Sequence, residues 1–191
     1  MMLKKGLAIL LVLIFVAMGF SQISKDEAKK NVPMLLKALN YNKTLKTKMK
    51  DNCVIGLLYT PDNSASVKEK DILKDVIEGN SGIKIDGKKV KVVPIPISAS
   101  ANLEKKVIIH KINAFWLTTG TEAFANPIRE SAKFNQVTTM ATDEQMAQSG
   151  LAVLATRNTG AGYKLVVNVD EAKGNNIEIS ADLLKMATRV P

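Results

Sequence analysis

The chain has 191 residues, with 27 Lys and Arg against 18 Asp and Glu, for a formal net charge of +9. A hydrophobic fraction of 46% belongs to a globular protein and excludes a disordered one. A single cysteine and a single histidine exclude an intrachain disulfide framework, a multi-cysteine metal site and a His-rich metal site.

Lys4 and Lys5 precede an uncharged apolar run over residues 6–20, the pattern of a secretory signal peptide. A spanning helix needs about 20 apolar residues, so the run is short for a permanent anchor. Gly19 and Ser21 suit the small-residue positions of a cleavage site and would leave Gln22 as the mature terminus. Ala17 and Gly19 offer an alternative cut, and an uncleaved anchor is the other reading. No cysteine follows the apolar run directly, so the lipoprotein route is closed. The expectation is a signal peptide at 1–21 and one domain at 22–191, periplasmic or secreted. Loss of Lys4 and Lys5 lowers the charge from +9 to +7. The remaining lysines are dispersed, densest at Lys43, Lys46, Lys48 and Lys50, and only Arg129, Arg157 and Arg189 supply guanidinium groups. Nucleic-acid readers rely on Arg forks and interleaved aromatics, so no nucleic-acid partner is expected. An exported Lys-rich surface, with some attraction to an anionic envelope, fits better.

Ser24 and Glu27 have the spacing of a capping box, and Val32, Leu35, Leu36 and Leu39 follow at helical steps. Pro33 predicts a kink or a fresh start there. Residues 53–59 are a continuous apolar run of strand length, as for a strand buried on both faces. A loop at 60–64 leads to an amphipathic helix at 66–78, ended by Asn80-Ser81-Gly82. Asp86-Gly87 marks a tight turn before a strand at 88–97, whose Pro94 and Pro96 confine its far end to an edge or exit. A short helix at 101–110, a strand at 112–117 and a helix at 122–133 follow. A strand at 136–140 and a short helix at 143–148 come next. Strands at 151–156 and 163–169 flank a hairpin turn at 157–162, and a helix from Ser180 to about Arg189 closes the chain. This order predicts an α/β domain, layered, with a mainly parallel sheet flanked by helices, a C-terminal β-hairpin and a terminal helix.

Ligands of open α/β sheets sit beyond the carboxyl ends of the strands. The loops there supply Thr60, Asp62, Asn63, Thr118, Thr119 and Thr121, with 141–143 as a third loop, and these residues are the candidate ligand crevice. Plain helix N-capping explains the same residue types. His110 ends a helix, where the dipole favours a cation, and has no local carboxylate to orient it as a base. Cys53 opens an apolar strand, as a buried inert thiol does. Gly160-Ala161-Gly162 lacks the strand-before, helix-after context of a phosphate loop and reads as a turn. Phe115 and Trp116 read as core. No catalytic constellation, cofactor-binding motif or metal frame is found, so no cofactor is expected and the chain is not read as an enzyme.

The C-terminal block carries a family pattern: Ser149-Gly150-Leu151-Ala152, a turn at 158–162, Lys164-Leu165-Val166-Val167-Asn168-Val169, Glu171-Ala172-Lys173, then Ile179-Ser180-Ala181-Asp182-Leu183-Leu184-Lys185-Met186-Ala187. It resembles the YfiR/HmsC-like family. Val54–Tyr59, Val90–Pro94 and Ile112–Thr118 look like that family's first three strands, and 34–40 like the helix before them. The resemblance covers roughly 28–190. It implies an exported, non-enzymatic α/β module that restrains a membrane signalling protein, such as a diguanylate cyclase, by protein contact. Redox control through cysteine pairs, as in well-known members, has no counterpart here beyond an intermolecular bridge through Cys53. Self-association into a homodimer is also implied, with Leu35, Leu36 and Leu39 as the candidate surface. The alternative reading is a periplasmic small-molecule-binding protein using the crevice.

Overall fold

The computed structural model describes residues 23–191. The expected signal peptide, residues 1–21, lies outside them. Helix α1 (Lys25–Ala38) starts where the capping box expects it: Glu27 N–H donates to Ser24 Oγ, and Ser24 N–H donates to the Glu27 carboxylate. The helix runs through Pro33 as one element, with that position's backbone hydrogen bond missing. A 3₁₀ turn at Leu39–Tyr41 and a short helix α2 (Lys43–Lys48), capped by Asn42, follow. The sequence pattern did not reveal α2, whose six residues carry one buried side chain, Leu45.

Eight strands form one sheet: β1 (Asn52–Tyr59), β2 (Lys84–Ile85), β3 (Lys88–Pro96), β4 (Ala114–Leu117), β5 (Thr138–Ala141), β6 (Leu154–Asn158), β7 (Tyr163–Asn168) and β8 (Thr188–Val190). Their order is β2-β3-β1-β4-β5-β6-β7-β8. The central run β3-β1-β4-β5-β6 is parallel, β2 and β7 join antiparallel, and β8 lies parallel to β7. The connecting helices are α3 (Ser64–Gly79), α4 (Leu103–His110), α5 (Ala125–Asn135) and α6 (Glu144–Gln148). Asp86 and Gly87 both take positive φ, 50° and 75°, as the two-residue β2–β3 hairpin demands. Pro94 and Pro96 pair with β1 at Leu57 and Tyr59, while β2 ends opposite Lys88 and Lys89. The prolines therefore lie where the other side of β3 is free, and no ladder donor is missed.

The sheet is covered on both faces, which is why the strands read as unbroken apolar runs. Ile55, Leu57, Trp116 and Met140 face one layer with α1 and α3; Leu58, Phe115, Leu117 and Ala141 face the other with α4 and α5. Burying each of the larger of these side chains contributes roughly 1.5–3 kcal/mol. Two expectations need correction. Leu35, Leu36 and Leu39 are fully buried in the first layer, so they are core and cannot serve as a self-association surface. The terminal helix is shorter than 180–189: after α7 (Val169–Gly174), α8 spans only Ala181–Met186 and the chain ends in β8. Thr188 and Val190, alternating with exposed Arg189, favour a strand, and β7 offers an otherwise open edge for it.

Candidate functional site

β1 leads through α3 to β3 on one side, and β3 leads through α4 to β4 on the other, so the strand order reverses at β1. The crevice expected at Thr60–Ser64 and Thr118–Thr121 belongs to this reversal. The two loops do meet there, but they fill the space themselves. Thr118 Oγ1 donates to Leu58 O at 2.9 Å and lies 2.7 Å from Ser66 Oγ, and Thr121 Oγ1 donates to Thr118 O. Asn63 is spent capping α3 through the amides of Ala65 and Ser66. Asp62 is exposed, and Thr60 Oγ1 is buried without a partner among the described residues. Gly120, at φ 89°, presses so close that a Cβ there would stand 2.5 Å from Asn63 Nδ2.

The open space lies beside this point, over the carboxyl ends of β4, β5 and β6, as a cavity of about 280 Å³. Of the six expected residues of the first two loops only Thr119 lines it, whereas Ala141, Thr142 and Asp143 of the third loop all do. The first half of α1 contributes Glu27 and Asn31 to it, and α3 contributes Glu69. Glu69 is 3% exposed. Its carboxylate accepts from Thr119 N–H at 2.8 Å and from Thr142 Oγ1 at 3.3 Å, and among the described residues no cation pairs with it. Desolvation on burial raises its pKa; the hydrogen bonds from Thr119 and Thr142 oppose that rise, and Glu122 nearby adds to it. Asn31 is 2% exposed, and among the described residues its Oδ1 has no hydrogen-bond partner. The other wall is already paired: Arg157 Nε donates to Glu144, and Tyr163 OH lies 3.4 Å from Glu27 Oε1. Glu27 is held below its ordinary pKa, chiefly by the Ser24 amide.

Sequence reasoning missed Glu69 and Asn31, although a signal existed. Glu69 stands three and four residues before Ile72 and Leu73, and Asn31 stands four before Leu35, so both polar residues occupy apolar-stripe positions. A charged or amide side chain there must be buried, and a buried one needs a reason.

The opposite end of the sheet holds a groove of about 780 Å³ whose lining includes Lys48, Lys50, Lys91, His110 and Lys111, with Asp51 and Glu78. His110 closes α4 as expected, followed by Lys111 in the left-handed conformation. Three large apolar side chains are exposed at this end, at the carboxyl ends of the packed helices α4 and α5: Ile108 (69%), Ile109 (61%) and Phe134 (73%). Cys53 is fully buried in β1, and burial pushes its thiol up to about 12, which keeps it protonated and unreactive. Gly160 and Gly162 sit in the β6–β7 turn. Among the described residues no group of three or more His, Cys, Asp or Glu could hold a metal ion, and no helix is long and apolar enough to cross a membrane.

Residues 65–188 match the YfiR/HmsC-like family. The matched span holds the C-terminal pattern and the second and third strands, whereas Val54–Tyr59 and the early helix precede it. No curated protein matches the chain. Among solved structures it is similar to the ABC domain in complex with L-Trp from Streptococcus pneumonia, at 15% identity and a TM-score of 0.58, covering 86% of this chain and 60% of that one. A conserved domain protein from Vibrio cholerae O1 biovar eltor gives 16%, 0.56, 84% and 58% in the same order. A ligand-free, open substrate binding protein with adhesive properties from Clostridium difficile gives 16%, 0.54, 78% and 57%. The chain thus spans less than two thirds of the length of these structures, and at such identities the likeness is one of fold.

Proposed function

The chain belongs to the YfiR/HmsC-like family, and from that premise we propose that it is an exported, non-enzymatic regulatory module. In this reading residues 1–21 direct export to the periplasm or beyond, and 22–191 act on a membrane signalling protein, such as a diguanylate cyclase, by protein contact. The observation that carries it is the family match over 65–188. The chemistry of the described residues supports it: the thiol of Cys53 is buried and neutral, and His110 stands at a helix end, away from the buried carboxylate of Glu69.

The surface best suited to a partner is the end of the sheet with exposed Ile108, Ile109 and Phe134 beside Lys50, Lys91 and Lys111. Exposed apolar anchors with a basic rim fit an acidic face on the partner's extracytoplasmic domain. Crosslinking in the intact envelope tests this. The wild type should recover a membrane signalling protein, and Ile108→Asp with Phe134→Asp should lose it while remaining folded. Recovery of no membrane protein, or recovery indifferent to these substitutions, would overturn the reading.

The cavity at Glu69 favours a second reading, as a small-molecule-binding protein. Its position over the carboxyl ends of parallel strands is where such folds bind ligands. The solved relatives described as an L-Trp complex and as a substrate binding protein share this fold. A metabolite screen by thermal unfolding tests it: a ligand at 100 times its Kd adds about 2.7 kcal/mol, and a screen without any shift would remove the reading.

A further inference from the structure

Glu69 is a buried carboxylate on the wall of a cavity, and among the described residues no cation pairs with it. Its two oxygens accept two hydrogen bonds, from Thr119 N–H and Thr142 Oγ1, out of about four a carboxylate can accept. Asn31 lines the same cavity, and its buried Oδ1 accepts no hydrogen bond among the described residues. Both unfilled capacities are acceptors, so the missing group is a donor. The rest of the wall makes it a cationic donor. Glu27, Asp143 and Glu144 also line the cavity, and the Arg157 that lines it is already engaged by Glu144. Ile23, Leu117 and Met146 add an apolar side, which a purely inorganic ion would leave unused.

We propose that this cavity binds a small organic cation, a primary amine whose ammonium group donates to the Glu69 carboxylate and the Asn31 amide oxygen while its carbon chain lies against Ile23, Leu117 and Met146. An ammonium brings three donors and a positive charge, matching a buried carboxylate and a free carbonyl. About 280 Å³ is just under the usual range for ligand pockets, which sets the ligand at metabolite size and excludes a peptide. α1 roofs the cavity over β6 and β7, so occupancy would tie the amino-terminal helix to the sheet.

The proposal rests on the ligand-binding reading above, and its test separates the two. Thermal unfolding of the exported protein is followed with butylamine, with butanol as its uncharged counterpart and with butyrate as an anion, at constant ionic strength. Butylamine should raise the Tm in a saturable way, and butanol and butyrate should not. Glu69→Gln should unfold cooperatively and lose the butylamine response, and Asn31→Leu should weaken it. A response to butylamine unchanged in Glu69→Gln would overturn the proposal. Stabilisation by butanol or butyrate in place of butylamine would overturn the cation and leave the ligand-binding reading standing. Silence from all three overturns the cation as well, and the fate of the broader reading then lies with the metabolite screen.

Discussion

Glu69 sets a measurable pH dependence. Burial raises its pKa in the folded chain, while in the unfolded chain it ionises at its ordinary value. Between those two values the folded state holds the extra proton, so stability falls as pH rises through the window and is flat above it. Glu69→Gln keeps the shape and removes the charge. It is expected to be more stable than the wild type at neutral pH by about 1 kcal/mol, because an unpaired buried charge is lost. The two proteins should converge in acid below the unfolded value. Urea unfolding midpoints across the range check this, and a Gln variant weaker at neutral pH would show that the carboxylate is satisfied. Cys53 makes a second residue-level case. Buried in β1 and pushed up to about 12, its thiol should resist iodoacetamide in the folded protein and react once denaturant opens the sheet. Rapid labelling of the native chain would mean that β1 opens locally, and would reopen the intermolecular bridge that its burial argues against.

Elements are joined by a few residues whose loss can be ranked. Asn168 is buried at the end of β7. It caps α7 by accepting from Glu171 N–H at 2.6 Å, and its amide donates to Ala147 O on α6 and to Pro191 O at the chain end. Asn168→Ala removes a cap and strands a buried carbonyl, and should cost about 3 kcal/mol in chemical denaturation. Gly120→Ala should also destabilise, by about 2 kcal/mol, since it forces a side chain into positive φ and against Asn63. A variant at either position as stable as the wild type would remove the packing account given for it. These positions also show what the sequence made legible. Asn168 stands within the Val-Asn-Val step of the family pattern, and the unbroken apolar runs placed β1 and β4 because both faces of the sheet are covered. The first two loops of the expected crevice lie together, but Gly120 lets them close on each other, and that depends on a tertiary approach no local pattern shows. Leu35, Leu36 and Leu39 fit a contact surface as well as a core, because an apolar stripe does not say what covers it. Glu69 and Asn31 are not singled out by any motif, and only their positions in the apolar stripes of their helices mark them for burial. Thr188–Val190 is too short for a periodic signal and became a strand because β7 had an open edge.

At the scale of the molecule the two ends of the sheet differ in chemistry. The carboxyl end holds the acidic cavity of Glu27, Glu69, Asp143 and Glu144. The amino end carries Lys48, Lys50, Lys91 and Lys111 with the exposed Ile108, Ile109 and Phe134. A ligand at one end and a protein at the other would leave both sites free to be occupied together, with the sheet as the rigid body between them. Charge at the amino end should act mainly on the encounter. Exposed charges are screened beyond a Debye length of about 8 Å at physiological salt, so association with an acidic partner should slow as salt rises. Reversing Lys50, Lys91 and Lys111 to Glu should lower the association rate by at least about tenfold at low salt and flatten its salt dependence. Ile108→Asp with Phe134→Asp should instead raise the dissociation rate, because apolar anchors hold the complex after it forms. Both sets of positions are exposed, so the unfolding midpoint should move little. Stopped-flow or surface-binding kinetics against the captured partner, at several salt concentrations, separate the two effects. If the lysine reversals left the rate and its salt slope unchanged, the basic end would not be the face that meets the partner, and the exposed apolar side chains would need another explanation.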